Sequence, residues 1–484
     1  MSKKTKRSIS TFAILLAVLL LVSIATWIAA GKTYTGEDGE IAEVVGATSS
    51  DIFMAPVNGW ADAADVITFV FCLGAFLAIV NATGALETGI HTLVRRLHGK
   101  ELALIWILMF VFSVGGTTYG MGEETVGFYI LLAATMMAAG FDPIVGAATV
   151  LLGAGSGVLG STINPFATGA AVAAATSVGV EVNMGTTYVI GIILWLSAYL
   201  LSVLFVTAYA KKVRANKGSI LTAAQLEECQ NAYGGKDVTN AKLTGRQKAV
   251  LWLFALSFVV MILGFIPWAE FADGEGSVYA FFASTTSWLS GAGLGDWWFY
   301  DAATWFLLMG IIIGIVGLED KGQLMKLVAS GFGDMVSVNL VIGMARATSV
   351  IMATTGLGTW LVETSVTALS QSGVSAGVFG LLDYILHVGL SFLVPSSSGL
   401  AGLSAPIVSP IVAGVGWSVE TSIMINVAAN GFVNLFTPTC GFIMGGLALA
   451  RVPYESWLKW AWKLLLTLFV VVGVVLTIAM AVLS

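Results

Sequence analysis

The chain has 484 residues, of which 57% are hydrophobic and only 10% are charged, and its formal net charge is −6. Soluble domains carry about 25% charged residues, so this composition excludes a soluble globular protein and indicates an all-α polytopic membrane protein. The sequence contains no basic and aromatic pattern that would indicate nucleic acid as a partner. Its three cysteines form neither a disulfide framework nor a metal motif.

The N-terminus combines a basic start, MSKKTKR, with an apolar run from Ile9 to Ala30. This run is longer than the roughly 7–15-residue core of a secretory signal, so we predict a first spanning helix. Basic flanks stay in the cytoplasm, which places the N-terminus inside and the acidic segment 31–60 outside. A second span, about 64–93, then returns to basic residues at the inner face.

Two apolar arms follow, joined by the tip GGTTYGMGEET (115–125). The first arm, 102–114, is too short to cross a bilayer comfortably, so we predict a re-entrant hairpin at about 102–139 that enters from the cytoplasm. A broken transmembrane helix at about 144–176 runs outward. A span at 188–210 brings the chain back inside and ends a first repeat, 1–210.

A connecting region, 211–300, contains a cytoplasmic loop, a span at 249–266 and an acidic, Trp-rich outer interfacial segment. The second repeat, 301–484, begins with spans at 303–318 and 336–356. We then predict a second hairpin at about 376–414, a second broken helix at about 420–450, and a last span that leaves the C-terminus outside.

The two repeats match at a nearly constant offset. Pro165 and Pro438 lie 273 residues apart, Thr83-Gly84 and Thr355-Gly356 lie 272 apart, and the hairpin tips Gly120 and Ser396 lie 276 apart. The predicted topology gives the copies opposite orientations, as in the inverted repeats of secondary transporters. A competing register pairs 81–89 with 314–322, but both of those segments run inward and do not fit an inverted pair.

The first break, GAGSGVLGSTINPFATGA (153–170), has a partner in NGFVNLFTPTCG (430–441). Half-helix ends and hydroxyl or amide oxygens at such breaks can bind carboxylates and Na⁺. We therefore predict that substrate or ion is bound by Ser161, Thr162, Asn164, Pro165, Asn434, Thr437 and Thr439. The candidate Na⁺ ligands are Ser161, Asn164, Asn434 and Thr437. The alternative is that these side chains only satisfy a kinked helix.

The hairpin tips supply further candidates, namely Thr117, Thr118, Glu123, Glu124, Ser396, Ser397 and Ser398. The two carboxylates could bind a cationic substrate group, carry a proton or form a charge pair, and a solvated tip is the alternative. Arg346 is the best single cation for a carboxylate, although an ion pair with a neighbouring helix is an equal alternative. Asp383 and His387 share a helix face, which favours a structural hydrogen bond over a proton relay.

Several motifs resemble the YfcC branch of the C4-dicarboxylate anaerobic carrier family, within the ion transporter superfamily. They include NATGALETG, FSVGGTTYGMGEET, GAGSGVLGSTINPFATG, MARATSV, FLVPSSSGLAGLSAPI and NLFTPTCG followed by PYESWLKW. The resemblance covers about 64–465. It implies a homodimeric inner-membrane carrier that moves its hairpins and broken helices past a scaffold, as an elevator. Substrates in this group are divided between dicarboxylates and basic amino acids.

These observations predict a secondary active transporter, a symporter or an exchanger, and not an enzyme. The expected cargo is a small carboxylate-bearing metabolite, an amino acid of the basic type, with a C4-dicarboxylate as the alternative and a channel as the alternative of another class. We expect no cofactor, a coupling ion that is Na⁺ or H⁺, and contact with membrane lipid. Gly155, Gly157 and Gly160 spell a dinucleotide motif, but no strand precedes them.

Overall fold

The computed structural model describes residues 11–36, 40–96, 100–215, 218–233, 243–266, 268 and 277–484. Within these residues the chain is almost entirely helical, and ten helices are long and apolar enough to cross a membrane. The composition-based prediction of an all-α polytopic membrane protein is therefore confirmed. The basic residues of MSKKTKR and part of the 211–248 loop lie outside the described residues.

The helices of the first half include the predicted spans, except that the span at 64–93 is divided, and several elements that were not predicted. They are α1 Thr11–Ala29, α2 Ser49–Asp62, α3 Ala64–Ala82, α4 Ala85–Arg96, α5 Glu101–Tyr119, α6 Val126–Ala138, α7 Pro143–Leu159, α8 Ala170–Ser177, α9 Met184–Arg214 and α10 Ala223–Tyr233. Two short strands, β1 Thr33–Thr35 and β2 Ile41–Glu43, pair antiparallel between α1 and α2.

The helices of the second half follow the same order as the predicted spans, with two additions. They are α11 Gly245–Phe265, α12 Ser277–Thr286, α13 Phe299–Gly317, α14 Leu324–Thr354, α15 Leu357–Gln371, α16 Ala376–Leu393, α17 Ser397–Gly414, α18 Val419–Val433, α19 Gly441–Leu449 and α20 Tyr454–Leu483. The additions are α12 and α15. No element was predicted between the span at 336–356 and the hairpin at about 376–414.

The single span predicted at 64–93 is wrong, because the chain breaks between α3 and α4. Thr83 donates to the carbonyl of Val80 at 2.6 Å, and Gly84 takes a φ of +66°, a left-handed conformation that glycine adopts readily. The turn between α14 and α15 has the same construction, with Thr355 bonded to the carbonyl of Ile351 and Gly356 at a φ of +73°. The Thr-Gly pairs noted in the sequence therefore form equivalent helix-ending turns.

Helices α5 and α6 form an antiparallel pair that packs on α7. Gly153 and Gly157 of α7 lie against Met109 and Ser113 of α5, so these two helices run in parallel. Helix α6 is joined to α7 by a short connection and returns along it. Because α5 continues to Tyr119, its helix is longer than the predicted apolar arm 102–114 and by length could cross a bilayer.

The two ends of this pair lie on the same side of the molecule, next to the end of α9. Glu101, at the start of α5, forms a 2.9 Å ion pair with Arg214. Asp142, after α6, accepts hydrogen bonds from Tyr209 at 2.6 Å and from Ser219. The chain therefore enters and leaves this pair of helices at one face.

A second antiparallel pair, α16 and α17, packs on α18 in the same way. The last turns of α7 and α18 meet at the centre of the molecule. Gly431 lies against the backbone of Leu159, and Gly155 lies against Leu435, so α7 and α18 run in opposite directions where they touch. Both helices stop at this contact, and α8 and α19 continue beyond the breaks.

The close contact between α5 and α7 can be tested with glycine substitutions. A Cβ at Gly157 would overlap the carbonyl oxygen of Ser113 and lie 2.7 Å from the amide of Thr117, whereas a Cβ at Gly333 in α14 would meet nothing within 4 Å. We expect Gly157→Ala to destabilise the protein by about 1–3 kcal/mol through overpacking. Gly333→Ala should be neutral or stabilising by up to about 1 kcal/mol, because alanine favours a helix. The measurement is the thermal unfolding midpoint of purified protein in detergent, and equal midpoints for the two variants would contradict the packing described.

Candidate functional site

A cavity of about 130 Å³ lies where the α5–α6 turn, the α16–α17 turn and the second break meet. The remaining wall comes from α3, α14 and the start of α13. Clefts that join several elements, with apolar walls and a few polar groups, are the usual form of a small-molecule site. The cavity is therefore the candidate site for cargo.

The α5–α6 turn is fixed to the first break by backbone contacts. The Thr117 hydroxyl donates to the carbonyl of Gly160 at 2.8 Å, and the Thr162 amide donates to the carbonyl of Thr117 at 2.8 Å. Gly120 has a φ of +79° and lies against the Asn164 amide group, so a side chain there would displace it. The turn and the break thus hold each other in place.

The polar side chains of the first break bond mainly to one another and to the local backbone. The amide nitrogen of Asn164 donates to the Ser161 hydroxyl at 2.9 Å, while its oxygen accepts from the Phe166 amide at 2.9 Å. A π-helical turn, Pro165–Gly169, follows and leads into α8. These bonds replace the helical bonds that Pro165 removes, and they direct the Phe166 ring to the cavity wall.

The α16–α17 turn is held by asparagines of α18. Ser397 donates to the Asn430 oxygen at 2.8 Å, and the Asn434 amide nitrogen donates to the same oxygen at 2.9 Å. One turn earlier, Asn426 donates to the carbonyl of Leu400 at 3.3 Å. Residues four apart share a helix face, so these three asparagines form one polar stripe that faces the turn.

One buried oxygen at the cavity has no hydrogen-bond partner within the described structure, namely Oδ1 of Asn434. Asn434 is only 4% exposed and lines the cavity. A buried acceptor without a donor costs about 1–3 kcal/mol. A cargo ammonium group or a cation in the cavity would supply the missing partner.

The ionisable groups at the cavity are mostly acidic. Asp65, Glu123 and Glu124 line it together with a single cation, Arg346. The Nε of Arg346 lies 3.0 Å from Oδ2 of Asp62, so this cation already has a partner.

The wall beside Asp65 is aromatic. Trp298 donates its ring N–H to Asp65 Oδ2 at 2.6 Å, and the Phe166 ring lies on Trp298 with 4.7 Å between centroids. These contacts join the first break to the start of α13, so the aromatic rings close this side of the cavity.

The structure brings half of the sequence-predicted residues to the cavity. Those lining it are Glu123, Glu124, Arg346, Ser396, Ser397, Ser398, Asn434 and Thr439. Outside the lining lie Thr117, Thr118, Ser161, Thr162, Asn164, Pro165 and Thr437. For Arg346 the ion-pair alternative is present as the contact with Asp62, while direct cargo binding by any of these side chains stays a prediction.

Sequence reasoning missed Asn426, Asn430, Asp65, Trp298 and the wall position of Phe166. The asparagine stripe had a readable signal, because an amide recurs every fourth residue in an otherwise apolar helix. No such sequence signal marks Asp65 and Trp298, because they lie far apart in the chain and neither is part of a motif.

Comparison with known proteins places the chain in a family. The sequence profile described as "C4-dicarboxylate anaerobic carrier" matches residues 9–481. A putative basic amino acid antiporter, YfcC of Escherichia coli K12, is 27% identical over 424 residues, which cover 85% of this chain and 77% of that protein. An uncharacterized protein of Haemophilus influenzae is 28% identical over 439 residues, covering 90% of this chain and 79% of the relative.

Two solved structures share the fold. The YdaH transporter of Alcanivorax borkumensis has a TM-score of 0.51 at 17% identity and covers 97% of this chain and 98% of its own. MtrF of Neisseria gonorrhoeae, described as illuminating a class of antimetabolite efflux pumps, has a TM-score of 0.50 at 14% identity. The match covers 99% of this chain and 96% of MtrF. The chain belongs to the C4-dicarboxylate anaerobic carrier family, a family of membrane transporters and not of enzymes.

The asparagine stripe yields a specific prediction. Asn430→Ala leaves Ser397 and Asn434 without their shared acceptor, so the α16–α17 turn loses its position at the cavity. We expect transport to fall at least tenfold, with destabilisation of about 1–3 kcal/mol. Uptake by proteoliposomes and the unfolding midpoint in detergent are the measurements.

The matched control is Asn339→Ala, which removes a buried asparagine that donates to the carbonyl of Ile67, neither residue being part of the cavity lining. It should destabilise the protein to a similar degree and retain transport. Full uptake by the Asn430 variant, or equal loss of uptake in both variants, would contradict a positioning role for the stripe.

Proposed function

We propose that this member of the C4-dicarboxylate anaerobic carrier family is a secondary active transporter, an exchanger or symporter, whose cargo is an amino acid of the basic type. The observation that carries the proposal is the charge of the cavity, where three carboxylates face one arginine that is already paired with Asp62. A cargo with a cationic side chain complements this excess of negative charge. The name of the Escherichia coli relative, a putative basic amino acid antiporter, points the same way.

The same cavity offers groups for the carboxylate of an amino acid. Helix α17 starts there, with Ser396 as its N-cap and Ser397 and Ser398 in its first turn. The first amides of a helix have no carbonyl partner within the helix, and its positive dipole end favours anions. Arg346 lies at the same turn, since its Nη1 would be 3.4 Å from a Cβ placed on Gly399. The cargo carboxylate therefore belongs at the α17 end, and its cationic group belongs near Glu123.

A C4-dicarboxylate is the alternative cargo, and the family description favours it. Two negative charges would then face Asp65, Glu123 and Glu124, which is unfavourable unless protons neutralise those carboxylates. A channel is the alternative of another class. It would need a continuous pore, whereas the cavity lies between two helix breaks that close on each other.

We propose further that the two halves are inverted repeats and that the carrier works as an elevator. The matched Thr-Gly turns, the two helix pairs packed on α7 and α18, and the opposed directions of α7 and α18 support an inverted arrangement. The moving part would contain α5–α9 and α16–α20, and the scaffold would contain α1–α4, α11, α13 and α14. Gly441 and Gly445 of α19 pack on Ile342 and Val338 of α14, giving a smooth surface for sliding.

The remaining assignments are also proposals. The coupling ion is Na⁺ or H⁺, with Ser161, Asn164, Asn434 and Thr437 as the oxygens considered for Na⁺. Of these, Asn434 offers the buried unpartnered oxygen, while Ser161, Asn164 and Thr437 bond to neighbouring groups. We propose a homodimer in the inner membrane, with the N-terminus in the cytoplasm and the C-terminus outside.

The proposed cargo can be tested with two amino acids that have nearly the same shape but differ in charge. Citrulline has nearly the shape of arginine and lacks its charge. We expect wild-type proteoliposomes to exchange arginine or ornithine and to ignore succinate. In Glu123→Gln, the KM for arginine should rise at least tenfold with little change in citrulline uptake, since only the cationic group loses a partner.

Glu87→Gln, at an exposed position on α4, is the control and should behave as wild type. Uptake of labelled succinate without arginine or ornithine would overturn the assignment in favour of the dicarboxylate carrier.

The elevator can be tested by cross-linking the proposed sliding surface in a variant that lacks the native cysteines. A Cβ on Gly445 would lie 3.1 Å from the Cβ of Val338, close to the 3.5–4.5 Å that a disulfide spans. We expect oxidation of the Val338→Cys and Gly445→Cys pair to stop transport, and reduction to restore it. The control pair, Gly377→Cys with Ala481→Cys, has the same 3.1 Å spacing within the proposed moving part. Transport that survives the first cross-link would contradict sliding.

A further inference from the structure

A buried chain of polar groups connects α16 to α17 away from the cargo cavity. Nδ1 of His387 lies 2.9 Å from Oδ1 of Asp383, and its Nε2 lies 2.6 Å from the Ser404 hydroxyl. Asp383 and His387 are fully buried, and Ser404 is 1% exposed. The same Nδ1 also hydrogen bonds to the backbone carbonyl of Asp383 at 2.9 Å, so three polar contacts orient the imidazole.

The charged groups on the elements around α16 are few, and those of α15 and α18 bond to other residues. Helix α16 packs on α15, α18 and α20, and it contacts α17 through His387 and Ser404. Helix α17 contains no ionisable side chain. On α15, Glu363 accepts from Thr35, and on α18, Glu420 accepts from Asn183 and Ser418. The ionisable residues of α20 are Tyr454, Glu455, Lys459 and Lys463, all in its first half.

On α16 itself, Tyr384 follows Asp383 in the sequence. Its side chain is buried, and its ring packs on Phe469 of α20. Among the described residues, Asp383 is the ionisable group in contact with the His387 imidazole. No other described charge compensates the pair.

The pair must therefore hold one proton to be electrically neutral. With that proton, it is either a neutral acid beside a neutral imidazole or a carboxylate beside an imidazolium. Without it, a net negative charge would be buried with no compensating charge among the described residues in contact with the pair, and an unpaired buried charge costs several kcal/mol. Apart from His387, neither carboxylate oxygen of Asp383 has a neighbouring donor in the described structure. The proton can leave only when water reaches the pair.

We propose that Asp383 and His387 form a proton-binding site and that movement of cargo is coupled to its filling and emptying. Separation of α16 from α17 breaks the contact between His387 and Ser404 and admits water, to which Nδ1 or Oδ1 releases the proton. Ionisable groups at membrane depth commonly serve as such relays. This inference rests on the proposed carrier function and adds H⁺ as the coupling ion, at a site separate from the cargo.

The first experiment measures proton and cargo fluxes together in proteoliposomes that contain a pH indicator. We expect the wild type to move protons in a fixed ratio to arginine. Asp383→Asn and His387→Gln remove the titrating groups but keep similar shapes, so the proton flux should fall at least tenfold while exchange of internal for external arginine continues. Asp383→Glu restores a carboxylate and should recover proton flux in part.

Tyr384→Phe is the control. Its hydroxyl has no hydrogen-bond partner in the described structure, so its loss should leave both fluxes unchanged. A wild-type ratio of protons to arginine in Asp383→Asn and His387→Gln would overturn the inference. If wild-type liposomes exchange arginine but move no protons, the inference fails and the proposed function stands. If they exchange no arginine, the proposed function fails.

A second measurement does not depend on transport. In ¹⁵N-histidine spectra of the purified protein, the signal that disappears in His387→Gln identifies this residue. We expect its ring ¹⁵N chemical shifts to change between pH 5 and pH 9 in the wild type, because loss of the shared proton alters the imidazole or the carboxyl group bonded to it, and to follow a different pH profile in Asp383→Asn. Ring shifts that stay constant across that range would overturn the inference, because the pair would then be purely structural.

Discussion

Backbone that leaves helical geometry at membrane depth needs its hydrogen-bond partners from the protein, and this requirement shapes the centre of the molecule. Helices α7 and α18 both stop there, and each exposes amides and carbonyls that a continuous helix would satisfy. Asn164 caps the first break, and Thr117 crosses from the α5–α6 turn to bond Gly160. At the second break, the asparagine stripe of α18 performs the same task for the α16–α17 turn.

This constraint explains why polar residues near the breaks divide into two groups. Ser161, Asn164 and Thr437 bond locally and keep the breaks in shape. Asn434 and Thr439 face the cavity, and Asn434 keeps one oxygen free of any described partner. A break that must be satisfied internally therefore positions the few groups that remain available to cargo. Function and local stability depend on the same short segments.

Basic side chains in the interior of the molecule pair with acidic ones. Arg346 contacts Asp62, and His387 contacts Asp383, so each of these basic side chains has an acidic group next to it. The two pairs differ in access to water, since the Asp62 side chain is 52% exposed while Asp383 is fully buried. In the proposed mechanism the first exchanges partners with a cargo carboxylate, whereas the second keeps its proton until α16 and α17 separate. This difference in access is the physical reason for proposing separate cargo and proton sites.

The amino-acid sequence by itself determined the membrane class, nearly all the spans, the two broken segments and the matched Thr-Gly pairs. These features depend on hydropathy over a window of residues and on local proline and glycine chemistry, both of which are readable along the chain. The extra helix α15, the break after α3 and the small strand pair β1–β2 were missed, because short apolar or polar segments carry no decisive period. Only the tertiary structure decided which polar side chains face the cavity. Asp65, Trp298 and Glu123 come from distant segments, and their proximity depends on how whole helices pack, which the order of residues along the chain does not specify.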